Sequence, residues 1–127
     1  MGLEQDYIMK MIEQLINFLV KKIFKFKSKD ELESLDADYE KNNEVYKKLK
    51  NMIDEGKINE AENELFDNID SKNEEGLKLA LVFYNYLNSK STQYLEENNF
   101  SKEEVKEGLR DVVKMYGYED FANLFLS

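Results

Sequence analysis

The chain contains no cysteine, no histidine, no proline and no tryptophan, and only one arginine among its 127 residues. Without cysteine there is no disulfide framework, no thiolate metal site and no thiol nucleophile, and a reducing cytosol is the natural compartment. Without histidine the usual general base and the commonest metal ligand are gone, and with them the Glu-x-x-His metal pattern of helix bundles. The lone Arg110 leaves little of the bidentate chemistry that grips phosphate and guanine. A net charge of −9 and a pI near 4.6 set the whole-chain field against nucleic acid as well. No apolar run approaches the roughly 20 residues that cross a bilayer. The start MGLEQD has acids where a secretory leader is basic, and Asp6 where a myristoylation motif has Ser or Thr. A cytoplasmic protein is expected.

Phosphate-binding glycine loops are missing too, and the acidic stretch DNIDSKNEE lacks the oxygen spacing and glycine of a calcium loop. No cofactor, metal or small-molecule ligand is therefore expected. Carboxylates are abundant, but pairs such as Glu60 with Glu64 and Glu103 with Glu107 share a helix face as solvated charge. Ser101 invites a nucleophile reading, yet Glu104 three residues on makes it a helix cap. An enzyme is not expected. The last option held open is a hydrolase working with two carboxylates, which a buried pair of acids in a deep cleft would revive.

What the sequence does have is apolar spacing of three and four almost throughout, with no NG or DG hairpin signal. The fold class is all-α: one domain, residues 1–127, built as a bundle of five to six helices. A long first helix spans about 4–26, and a helical bundle fills 36–127. Residues 28–36 read as a polar linker holding at most one turn, despite the start signal of Ser28 with Glu31. The second helix runs from about Asp36 to a stop at Gly56. The third follows Asn59, which can cap it while Glu62 reaches back. The fourth, about 73–88, is apolar nearly all round in GLKLALVFYNYL and belongs at the centre. Its Phe83, Tyr84 and Tyr86 are read as core, with hydroxyls reaching the edge, rather than as a ligand pocket. A short helix follows through Gln93 and Asn98. Ser101 with Glu104 opens the next, ending at Gly117, and Gly108 inside it predicts a close approach. A final short helix, Glu119 to Leu126, docks Phe121, Leu124 and Phe125.

The segment VYKKLKNMIDEGKINEAENELFDNI is helix, Gly-containing turn and helix, with Gly56, Ile58 and Ala61 at turn and crossing. It resembles one tetratricopeptide-type hairpin, although a shift of about 34 residues finds no second Gly turn. Together with EQDYIMKMIEQLINFLVKKIF and NFSKEEVKEGLRDVVKMYG, in that order, it also resembles a small all-helical bacterial family of uncharacterised function, found mainly in low-GC Gram-positive bacteria. That resemblance implies a helical, repeat-like fold and a cytoplasmic setting, and it brings no catalytic residues.

The first helix poses the functional question. Its apolar residues cover about 200° of the helical projection, wider than the ~100° that one contact needs. Behind them come five lysines with no acid, Lys21 to Lys29. Lys22 and Lys25 border the apolar stripe, where stems can cover apolar surface while heads reach water. Two burial surfaces are expected, the second in a homodimer or another protein. The residues expected to carry it are Ile8, Met11, Leu15, Phe18, Leu19, Lys22, Lys25 and Phe26. A membrane-surface helix with lysines at anionic headgroups is the alternative. Full coverage of the face by the domain's own helices is the third possibility.

Overall fold

A computed structural model describes the backbone of residues 2–126 and the side chains of residues 5–126. Every regular element among them is helical: α1 (Gly2–Lys22), α2 (Lys29–Asn42), α3 (Glu44–Asp54), α4 (Ile58–Asp67), α5 (Glu74–Asn88), α6 (Thr92–Glu97), α7 (Lys102–Met115) and α8 (Glu119–Phe125). There are eight helices rather than five to six, and two differences from the sequence reading together add one of them. Residues 29–42 form a full helix where a linker was expected. Its apolar stripe is only Leu32, Leu35 and Tyr39, with Leu32 alone fully buried, so the periodic signal is thin. The chain then breaks at Asn43 instead of running on to Gly56. The Asn43 backbone (φ −110, ψ 108) leaves helical space and its Oδ1 accepts the Tyr46 N–H at 2.9 Å, capping α3. Its own N–H closes α2 on the Tyr39 carbonyl. Asparagine competes with the helix by this local bonding.

At the centre lies α5, as its all-round apolar sequence requires, packed against α1, α2, α3 and α7. Phe83 and Tyr84 are fully buried within it. From α1 come seven buried side chains, Ile8, Met11, Ile12, Leu15, Ile16, Leu19 and Val20. Each contributes about 1.5–3 kcal/mol over its exposed state. They meet α5, α7 and α8. The α3–α4 hairpin turns at Gly56, whose φ of +82 suits glycine, and Ile58 and Ala61 are both fully buried at the crossing.

Three further details differ from expectation. The first helix ends at Lys22, not Phe26: Lys25 adopts φ +61 and the Phe26 amide turns back to the Val20 carbonyl at 3.1 Å. This curls Phe24 and Phe26 onto the domain. Secondly, α4 starts at Ile58 because that side chain is fully buried; Asn59 caps nothing and donates instead to the Asn99 carbonyl at 3.2 Å. In α8, Leu124 is 71 % exposed, and Leu126 takes the buried place.

Candidate interaction surfaces

Of the eight residues expected on an interaction face, Ile8, Met11, Leu15 and Leu19 lie in the domain's own core. None of those four is open to a partner in the folded chain. The wide apolar arc of α1 is covered within one molecule, by α5, α7 and α8. Phe18 is half-buried, with its ring 5.1 Å edge-on from Phe121 and 5.2 Å from Phe125. Phe26 is half-buried against Phe24, centroids 6.5 Å apart, and Phe24 lies beneath the Lys78 ammonium at 5.2 Å. Only Lys22 and Lys25 are exposed.

These two lysines belong to the basic turn, and the structure sets it apart. Lys21, Lys22, Lys25, Lys27 and Lys29 are all exposed. Among the described residues no ammonium of these five has a carboxylate within 4.0 Å; the Glu31 carboxylate beside them accepts the Lys27 backbone N–H instead. From Lys47 onward the cations are mostly matched, as in Lys48 to Glu64 at 3.2 Å and Lys90 to Asp54 at 2.9 Å. Lys102 is buried, and its ammonium donates to the carbonyls of Asn88 (2.6 Å) and Lys90 (2.8 Å) at the end of α5. Burial pushes that amine down, with Asp6 pulling the other way.

The opposite charge gathers between α4 and α7. A groove of about 260 Å³ is lined by Glu62, Asn63, Phe66, Glu104, Glu107, Gly108 and Asp111, with no basic side chain. Its floor is a hydrogen bond that the sequence did not announce: the buried Tyr84 hydroxyl donates to Glu62 Oε2 at 2.6 Å. Glu62 therefore faces Tyr84 and not the start of its own helix. Burial raises the Glu62 carboxyl, Tyr84 opposes that, and Glu104 and Asp111 add to it. Burial also pushes the Tyr84 hydroxyl well above its ordinary value. Gly108 is the opening through which the two meet, since a Cβ there would lie 2.1 Å from Glu62 Oε2 and 2.4 Å from the Tyr84 hydroxyl. The glycine inside a helix was the one signal of this site. Glu104, Glu107 and Asp111 are exposed, so the groove holds one half-buried acid rather than a buried pair. Ser101 is a helix cap, its Oγ accepting the Glu104 N–H at 3.1 Å.

A third surface is the cleft of about 420 Å³ lined by Glu40, Lys47, Lys50, Asn51, Asp54 and Tyr86. Lys50 bonds Glu40 at 2.6 Å and lies 4.5 Å from the Tyr86 ring centroid, and Lys90 lies 4.8 Å from the same ring. Tyr86 donates to Asp54, and Tyr46, fully buried, to Asp36. Burial pulls the Lys50 ammonium down, but Glu40 and Asp36 outweigh it and leave it raised. Lys47 pairs with Glu44, Lys50 with both Asp36 and Glu40, and Lys90 with Asp54, so the cleft's charges are engaged within the protein and tie α2 and α3 to α5.

Among the described residues no cluster of carboxylates is spaced to hold a metal ion, and no helix is long and apolar enough to cross a membrane. No curated protein and no solved structure matches the chain. Residues 2–117, from α1 through the end of α7, match the model of a family of unknown function (DUF6483), and the chain belongs to that family.

Proposed function

We propose that this is a non-enzymatic, cytoplasmic protein-interaction module that self-associates, the basic turn after α1 of one copy meeting the acidic α4–α7 groove of another. The observation that carries this reading is the segregation of charge: five lysines in residues 21–29 whose ammoniums meet no carboxylate among the described residues, and four carboxylates around a groove with no basic side chain in its lining, of which Glu107 alone pairs with a cation, Arg110 at 3.7 Å. Exposed pairs contribute about 0–1 kcal/mol each, so several must act together and salt must weaken them. Half-buried Phe26 can add apolar contact against Phe66, which lines the groove. The α3–α4 hairpin, tetratricopeptide-like in its Gly turn and Ala crossing, fits a scaffold role.

Sedimentation at low salt is expected to give twice the 15.1 kDa chain mass, falling towards the monomer at high salt. Lys25→Glu with Lys27→Glu abolishes the dimer, as does Glu107→Lys with Asp111→Lys, and mixing the two variants restores a heterodimer. A two-fold pair sets both turns on both grooves, whereas an open head-to-tail contact gives larger species, which the same run resolves. A single monomeric species at every concentration overturns the reading. Leu19 is unsuitable for this test, because a charge at a fully buried position reports folding.

A second reading, binding to an anionic membrane surface, draws on the half-buried Phe24 and Phe26 beside the same lysines. Flotation with vesicles containing phosphatidylserine tests it, and a lack of salt-sensitive binding ends it.

A further inference from the structure

Where α7 ends, the Tyr118 amide donates to the Val113 carbonyl and the Gly117 amide to that of Lys114, both at 2.9 Å. With Gly117 at φ +86 this is a Schellman turn. It reverses the chain so that α8 falls back onto α1 and α7. Nothing lies within 4 Å of where a Gly117 Cβ would be, so the reversal point is open on that side.

What lies beyond that point cannot stand alone. α8 has seven residues, and Tyr118 gives it no side-chain cap. Two turns of helix are unstable in water without docking. The docking is modest: Ala122 and Leu126 are fully buried, while Phe121 and Phe125 are half-buried against Phe18. Arg110 adds bonds to Asn123 Oδ1 at 3.1 Å and to the Leu126 carbonyl at 2.9 Å. The core around α5 is far more extensive, with Leu77, Ala80, Phe83, Tyr84 and Leu87 all at 0 % exposure.

We infer that α8 is a latch, undocking from α1 and α7 about Gly117 while α1 to α7 stay folded, and so uncovering Phe18 and the apolar strip of α1 beside it. Local openings of this kind belong to cooperative units that cost less than global unfolding. The inference does not depend on self-association and holds at any protein concentration.

The absence of cysteine makes a direct test possible. In Ala122→Cys the thiol is buried under the latch, and in Ala80→Cys it is buried in α5. With a disulfide reagent under native conditions, the thiol of Ala122→Cys is expected to react at least about 100-fold faster than that of Ala80→Cys. Leu126→Cys serves as a second reporter on α8. Adding Ile53→Val, which weakens the core on α3, should speed reaction at Ala80→Cys about fivefold and leave Ala122→Cys unchanged. Equal rates at the two positions, or equal acceleration of both by Ile53→Val, would show that α8 opens only with the whole domain and would overturn the inference.

Discussion

Alanine is the better helix former by about 1 kcal/mol, so Gly108→Ala in the middle of α7 would stabilise an isolated helix. In this protein it is expected to do the opposite. The added Cβ would lie 2.1 Å from Glu62 Oε2, 2.4 Å from the Tyr84 hydroxyl and 2.9 Å from Tyr84 Cζ. Glu62 is the end of a flexible side chain and can swing away cheaply. Tyr84 cannot, because it is fully buried with its ring edge-on to Phe83 at 5.0 Å. Either α7 moves off α5 or the ring shifts, and overpacking of this kind costs about 1–3 kcal/mol. The displaced Glu62 leaves the Tyr84 hydroxyl buried without an acceptor, about 1–3 kcal/mol more. Set against the helix gain, the net loss is about 3 kcal/mol, or about 10 °C in Tm for a chain of this size. Urea titrations of a two-variant cycle isolate the cause. With Tyr84→Phe already present, the ring carbon is the nearest obstacle that cannot swing aside and the unpaired hydroxyl is gone, so Gly108→Ala should cost less than about 1.5 kcal/mol. A neutral or stabilising Gly108→Ala in the otherwise unchanged chain would refute the close approach and the role given to the Tyr84–Glu62 bond.

Glu62 also carries a pH signature. Its folded carboxyl lies above the ordinary 4.5, raised by burial, so the folded state holds the proton more tightly than the unfolded one. Its contribution to stability is therefore fullest below the unfolded value and is lost as pH rises through the folded one. Between about pH 4 and pH 7 the urea midpoint should decline relative to that of Glu62→Gln, and parallel profiles would refute the assignment. Lys102→Met removes the donor shared by the Asn88 and Lys90 carbonyls. It should lower stability by about 2 kcal/mol with an unchanged urea m-value, and a loss below about 0.5 kcal/mol would show that those carbonyls need no donor.

The core of this fold was legible because burial writes itself as period. The α1 and α5 patterns carry half of the apolar side chains that end up inside, and Ser101 with Glu104 marks the start of α7. What was hidden depends on partners distant in sequence, except at Asn43, whose cap on Tyr46 is local. Asn43 breaks a helix that its neighbours would have continued, and Asn59 and Glu62 give up a capping box for Asn99 and Tyr84. The wide arc on α1 was expected to be shared with a second chain, and α5, α7 and α8 of the same chain cover it instead. Periodicity tells how much face is apolar and not which helices return to cover it.

The basic turn has a local explanation that must be separated from the proposed one. Cations in the last turn of a helix are favoured by its dipole, which accounts for Lys21 and Lys22 at the end of α1. It does not account for Lys25 and Lys27, which lie past the helix, and it disfavours Lys29, the first residue of α2. The turn contributes +5 to a chain of net −9, so the remainder carries −14. An excess of acid that large could have neutralised these lysines within the molecule, as it does Lys48, Lys50 and Lys90. Instead the ammoniums of the three that helix electrostatics does not reward stay unpaired on the surface, and Lys25, Lys27 and Lys29 are the residues on which the proposed association stands.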